Sequence, residues 1–395
     1  MASNIPTIME NAFEYARPVS GKKYVARDND VRALCDLLRQ GEHVALMMTP
    51  KSGCTSIINA ALLRLRTEEA DFDTVEMNLS DIRTPADFLR KLGNSVCRGA
   101  ASSAREYEEI VGHHLEGSRF FFDKERLRNA GSIISISGEP DRDDTLTMLR
   151  FPFSVAAQRG RRMIVVLDDF QNLDIADGGD FLLKNLSSVL GETAKERKKD
   201  NCTYVMCGSR INAMKDIFEE KKLFFRTVKT YYPLQPDENE IVAYVNRCLR
   251  LSGKVSDNGL LTGVCRLFNG NLWYINHFMS ICDHLSMGYI MQPVLKDALS
   301  RMIAIHELRF RTMVDSLTSF QLSFLKAALD GHTRFSSSEV ISSYGLHSSA
   351  NAKRLREALL KKEIITFNDK DEPVFEDPLF EYWIKKYFFK MNVEF

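Results

Sequence analysis

The chain has 395 residues, 44% hydrophobic and 27% charged, with 53 basic and 53 acidic side chains and so no net charge. That length fits two or three globular domains, and the charge balance excludes a chain-wide attraction to nucleic acid or to a membrane surface, so any basic patch is local. No apolar run approaches the ~20 residues of a membrane helix, the N-terminus lacks a hydrophobic signal region, and the eight cysteines are scattered without a CxxC pair, which reads as a cytoplasmic protein with reduced thiols.

Residues 1–30 read as a lead-in loop carrying Pro18 and Gly21. Asp28 or Asn29 caps a helix over Asp30–Arg39, apolar at Val31, Leu34, Leu37 and Leu38, and Gly41 ends it. Next comes His43–Asn59, HVALMMTPKSGCTSIIN. It predicts a buried strand over Val44–Met48, a tight polar loop over Thr49–Gly53 and a helix opening at Thr55. This is the layout of a phosphate-binding loop, G-x-x-x-x-G-K-[ST]. Gly53 and Thr55 fit, whereas Met48 stands at the first Gly and Cys54 at the Lys. Pro50, Lys51, Ser52, Gly53, Cys54, Thr55 and Ser56 are the candidate nucleotide contacts, because backbone N–H groups at a helix N-terminus favour an anion.

Phe72–Leu79 alternates as a second strand with Asn78 at its end, and Thr84–Ala100 reads as a helix with Pro85 in its first turn. Residues 101–145 read as a variable insertion: short helical pieces, Glu106–Glu116 and Lys124–Asn129, and a polar GEPDRDD turn. His113 and His114 point apart on a helix and have no acid at ligand spacing, so no metal site is read there. Residues 146–159 look helical. In Arg162–Asp169, RMIVVLDD, the apolar run Met163–Leu167 fits a parallel strand covered on both faces. It ends in Asp168 and Asp169, and ligands of open α/β sheets sit at the carboxyl ends of strands. This is a Walker B arrangement, in which Asp168 holds Mg²⁺ and Asp169 orients the attacking water. Another strand, Cys202–Cys207, ends in Gly208–Ser209–Arg210, where Ser209 is a second catalytic candidate and a plain turn is the alternative. Residues around Tyr231, Tyr232 and Pro233 close the sheet, giving an α/β core over 1–235.

From Asp237 the pattern is helical, over Asn239–Leu251, Asp257–Phe268, Leu272–Ser286 and Gln292–Asp315, which makes a lid of 236–315. The segment 316–395 predicts helices over Phe320–Leu329, Ser336–Tyr344 and Ser348–Lys361, then strands Glu363–Phe367 and Pro373–Glu376 about the turn Asn368–Glu372. This is a winged helix-turn-helix. Lys353, Arg354 and Arg356 on its third helix are the candidate contacts to double-stranded DNA. A protein partner is the alternative, because a basic helix face is also an ordinary solvated surface.

Six separated pieces come in one order: ARPVSGKKYVARDNDVRAL, the loop, VVLDDFQNL, CGSRINAMKDIF, FNGNLWYI and VFEDPLFEYWI. Together they resemble the archaeal-type ATPases of the STAND branch of AAA+ proteins, over most of the chain except 101–145. The resemblance implies an α/β P-loop NTPase core with a parallel sheet, an α-helical lid and a C-terminal winged helix, with ATP or ADP and Mg²⁺ as cofactors. It implies that Arg27 lies near the adenine, that Thr55 and Asp168 bind the metal, and that Ser209 stands at the sensor-1 position. It also implies that Gly270–Asn271–Leu272 matches a G-x-P near the lid and that Asp377–Pro378–Leu379–Phe380 and Trp383 close the winged helix. Three departures fall on one site. Cys54 brings no charge to the β- and γ-phosphates, Met48 adds a side chain where the Gly allows a tight bend, and Asp169 is one methylene shorter than the family's Glu. Two readings stay open: a nucleotide-dependent switch with weak or absent hydrolysis, and a nucleotide-free pseudo-ATPase scaffold that binds DNA or protein through its winged helix. A third is an ATPase in which Lys51 swings to the phosphates. In an oligomer, Arg210 or Arg226 are the candidates for an arginine finger.

Overall fold

The computed structural model describes residues 12–17, 27–68, 71–196 and 201–393. The lead-in around Pro18 and Gly21 lies outside them, as does Ala26, which stands where the resembled family has a Gly before Arg27. The chain packs as two units, each with its own apolar core.

The first unit holds Asp28–Thr49 and Ile57–Pro233. Its elements are α1 (Asp28–Arg39), β1 (His43–Leu46), α2 (Cys54–Glu68), β2 (Phe72–Asn78), α3 (Pro85–Ala100), α4 (Ala104–His114), β3 (Phe120–Phe122), α5 (Lys124–Ala130), β4 (Ile134–Ile136), α6 (Arg142–Arg159), β5 (Arg162–Asp168), α7 (Asn172–Ile175), α8 (Gly179–Glu196), β6 (Cys202–Cys207), α9 (Ile211–Lys215) and β7 (Val228–Tyr231). Five strands form one sheet in the order β2-β5-β6-β1-β7, and every pairing is parallel. All of β1 and β6 and the centre of β5 are buried, as unbroken apolar runs require when helices cover both faces. Leu46 is in register with Cys207 and Tyr231, and Asn78 with Asp168, so the strands end along one carboxyl edge.

Several boundaries differ from the sequence expectation. β1 stops at Leu46 rather than Met48, although the Met47 N–H still donates to Tyr231 O at 2.9 Å. α2 opens at Cys54, one residue early. The insertion contains a β3–β4 hairpin with Phe120 opposite Ile136; three-residue strands are too short for an alternation to register. Asn94 of α3 holds that hairpin, its Oδ1 accepting the N–H groups of Ile133 and Ile134. The acidic DRDD turn is the opening of α6, because Asp141 and Asp144 form a capping box and acids stabilise a helix N-terminus. The long helix α8 was not separated by sequence pattern.

The second unit holds the described part of the first 27 residues, Pro50–Ser56, and the chain from Leu234. Its elements are α10 (Glu238–Leu251), β8 (Val255–Ser256), α11 (Asn258–Leu267), α12 (Leu272–Leu285), β9 (Tyr289–Ile290), α13 (Gln292–Asp315), α14 (Ser319–Leu329), α15 (Ser338–Tyr344), α16 (Ser349–Lys361), β10 (Ile365–Phe367), β11 (Pro373–Phe375) and α17 (Pro378–Trp383). Side chains caps set the starts: Asn271 for α12, Thr318 for α14, Ser348 for α16 and Asp377 for α17. β10 and β11 pair antiparallel about the turn, as expected of a wing. The helices α10–α13 and the winged helix share one apolar core. No helix among the described residues is long and apolar enough to cross a membrane.

Candidate functional site

At the carboxyl edge of the sheet, β5 ends in two carboxylates with different surroundings. Asp168 uses one oxygen, Oδ1, to accept the Asp169 N–H at 3.0 Å and the Cys207 thiol at 3.1 Å. Its Oδ2 has no hydrogen-bond partner among the described residues. Asp169 adopts a left-handed backbone, φ 56°, an uncommon conformation that Asp tolerates better than most residues. Its Oδ1 accepts from Ser209 Oγ at 2.6 Å and Gln171 Nε2 at 3.2 Å, and its Oδ2 accepts from Asn78 Nδ2 at 3.2 Å. Burial alone would raise the Asp169 pKa, but the bonds from Ser209, Gln171 and Asn78 outweigh it and hold the carboxyl below its usual value.

Each donor is itself placed by the fold. Asn78 ends β2, and its Oδ1 accepts the Ser80 N–H at 2.9 Å, which turns its amide nitrogen to Asp169. Gln171 is buried and also donates to Ser209 Oγ at 3.2 Å. Gly208 is required beside it, since a Cβ there would lie 2.1 Å from Gln171 Oε1. Ser209 and Asp169, both expected at the site, are thus joined directly. Asn78, Gln171 and Cys207 complete the network. The strand-end positions of Asn78 and Cys207 were legible, but the partners of all three come from the sheet order.

The loop after β1 is built differently from the expected pattern. The left-handed residues are Lys51, φ 62°, and Gly53, φ 95°, whereas Met48 is buried and needs no such conformation. A Cβ on Gly53 would meet open space, so its glycine serves the backbone angle alone. Cys54 and Thr55 occupy the first turn of α2, half-buried, with Ser52 and Ser56 buried on either side. Pro50 O accepts from Asn271 Nδ2 at 3.4 Å. Lys51 is an exposed residue, yet its Nζ lies 3.7 Å from the centroid of the Trp273 ring and 5.3 Å from that of Tyr274. Burial of that ammonium ion lowers its pKa to about 8, with Arg309 adding to the shift and Asp377 opposing it. Arg27 is buried.

On the winged helix, Lys353 and Arg354 are exposed on α16. Arg356 is engaged: it forms a two-pronged ion pair with Asp371 in the wing and lies 3.5 Å over the Phe367 ring. Arg226 is exposed beside Phe225, and Arg210 is half-buried.

A family model described as a probable winged helix domain matches residues 308–386. No curated protein matches the chain. Among solved structures, the chain is similar to a Walker-type ATPase of Pyrococcus abyssi, with a TM-score of 0.62 and 16% identity over 95% of this chain and 99% of that one. It is also similar to the ORC2 protein of Aeropyrum pernix in its ADPNP–ADP complexes, with a TM-score of 0.57 and 11% identity over 94% of each chain. The ADP form of that protein gives 0.55 and 12% over 97% of this chain and 98% of that one. At such identities the likeness is one of fold. The chain shares with these structures a parallel-sheet α/β core and a helical C-terminal region, and its residues 308–386 are a winged helix.

Proposed function

We propose that the chain is an ATP-binding protein of the STAND class within this fold and acts as a nucleotide-dependent switch with weak or absent hydrolysis. The observation that carries the reading is the Asp169 network: a strand-end carboxylate in a left-handed conformation, held by three side-chain donors from β2, the segment after β5 and the segment after β6. Backbone strain of this kind persists where surrounding structure fixes it, and it clusters at functional sites. Pro50–Ser56 would receive the phosphates, with Arg27 toward the base. Hard oxygen donors suit Mg²⁺; Asp168 Oδ2 is one such donor, and the Thr55 hydroxyl is the other that the resemblance implies. Slow turnover follows from Cys54, which offers no cation, and from Asp169, whose carboxylate already accepts three side-chain hydrogen bonds and whose proton affinity is lowered. Ser209 fixes that carboxylate rather than a substrate.

The second reading is a nucleotide-free scaffold acting through the winged helix on DNA or protein. The seat of Lys51 on Trp273 favours it, because the loop's own cation is satisfied without a phosphate. Calorimetric titration of ATP and ADP with Mg²⁺ separates the two. Micromolar binding that weakens in Asp168→Ala supports the switch; no binding up to millimolar nucleotide removes it. Cys54→Lys then tells whether the native loop lacks only a charge. Restoring a charge-assisted bond, worth roughly 1.5–3 kcal/mol, should tighten ATP binding about 10- to 100-fold.

A further inference from the structure

Lys51 is not an isolated contact. Trp273, under its ammonium ion, meets Tyr274 edge-on with ring centroids 4.9 Å apart at the start of α12. Tyr274 is buried, and its hydroxyl faces an ion pair between Arg309 of α13 and Asp377. Burial raises the Tyr274 pKa, and the charge of Asp377 adds to it. Asp377 is the N-cap of α17: its Oδ1 accepts the N–H groups of Leu379 and Phe380, each at 3.0 Å. An apolar route runs alongside. Trp273 lies 6.2 Å from His306, His306 lies 6.0 Å from Phe310, and Phe310 packs on Phe380 and Trp383 of α17 at 5.6 and 5.7 Å. Every one of these residues belongs to the second unit.

We propose that Lys51, Trp273, Tyr274, Arg309 and Asp377 form a relay through which the phosphate-binding loop and the closing helix of the winged helix set each other's state. The relay rests on the proposed nucleotide reading for its input, but its wiring exists without nucleotide. Its physical basis is exclusivity. The Lys51 ammonium ion stabilises the indole face by cation–π attraction, and it cannot do so while it neutralises a phosphate. A phosphate on the loop therefore has different free energy with Lys51 on and off Trp273, which is the condition for a ligand to shift a conformational equilibrium. Withdrawal of the cation uncovers Trp273 and removes a positive charge from beside Arg309 and Asp377. The Asp377 carboxylate then divides its two oxygens differently between Arg309 and the first turn of α17. By linkage, a partner that rearranges α17 changes the affinity of the loop for phosphate by the same factor.

Hydrogen exchange at the Leu379 and Phe380 amides tests the wiring in the full chain without ligand, using Lys51→Met, Arg309→Gln and the double variant. Coupling along such a chain gives a roughly 2- to 30-fold change. Lys51→Met should change exchange at α17 by that amount, and in the double variant it should add little to the effect of Arg309→Gln. Unchanged α17 exchange in Lys51→Met, or effects that multiply independently, overturns the relay. Trp273 fluorescence in a Trp383→Phe background, read beside calorimetry during ATP titration, then tests the input. Binding with unchanged Trp273 emission also overturns the relay and leaves the nucleotide reading standing. No binding, with coupled exchange intact, removes the nucleotide reading while the wiring stands.

Discussion

His43 opens β1, is 2% exposed, and accepts the Tyr204 N–H on Nδ1 at 3.1 Å. Burial lowers its pKa to about 4 from 6.5, so the folded chain holds it neutral. The unfolded chain binds the proton more tightly, and the stability due to neutral His43 is complete above pH 6.5 and lost as pH falls through 4. The full effect is about 3 kcal/mol. Urea midpoints for the native chain should fall across that window, and a His43→Phe variant should fall less steeply. Gly208 marks a second sensitive residue. In Gly208→Ala, Gln171 must leave its bonds to Asp169 and Ser209 to clear the new Cβ. A cost of about 1–3 kcal/mol is expected, as for overpacking elsewhere, and chemical denaturation measures it. A variant of native stability would show that Gln171 is not fixed by that network.

Among the elements, the β3–β4 hairpin depends on a helix residue distant in sequence. Asn94 accepts the Ile134 N–H at 3.1 Å and donates to Arg90 O at 2.6 Å, and both hairpin amides are buried. Gly93 next to it admits the Ile134 side chain, which would lie 2.6 Å from an added Cβ. Asn94→Leu keeps the branched shape of the side chain but leaves two buried N–H groups without an acceptor. Loss of about 2–3 kcal/mol, together with faster exchange at Ile133 and Ile134, is the expected outcome. Native exchange at those amides would mean that the hairpin is held by its packing alone. The residues 101–145 thus gain a structural identity, a hairpin fixed to α3, that their composition did not announce.

For the whole molecule, charge distribution decides what the winged helix can grip. The wing turn Asn368–Glu372 carries Asp369, Asp371 and Glu372 against Lys370 alone, and Asp371 already holds Arg356. Lys353 and Arg354 are the cations left facing solvent at this end of α16. If the winged helix takes duplex DNA, Lys353→Ala and Arg354→Ala should each reduce the slope of log affinity against log salt by about 0.9. Arg356→Ala should change the slope less, and Asp371→Asn should strengthen binding by removing a negative charge. Fluorescence anisotropy over a salt series reads all four. Equal slope changes for Arg356 and Lys353 would mean that Arg356 leaves the wing on binding. The helices α10–α13 and the winged helix share one core, so the proposed rearrangement of α17 would pass through packed side chains rather than across a flexible linker.

Hydrophobic period and turn chemistry in the sequence were enough for the parallel-sheet core, the helical C-terminal region and the winged helix, because burial on two faces leaves apolar runs such as Met163–Leu167 and burial on one face leaves helical stripes such as Ala352, Leu355 and Leu359. Strand-end placement also singled out Asp168, Asp169 and Ser209. Tertiary structure decided the rest. The meeting of Asn78, Gln171 and Ser209 on Asp169 depends on strand order, and no local pattern records which strands are neighbours. The seat of Lys51 on Trp273 joins residues more than two hundred positions apart, and the capture of Arg356 by the wing follows from how the β10–β11 turn folds back on α16. These are contacts between side chains whose types are common and whose meaning comes only from proximity.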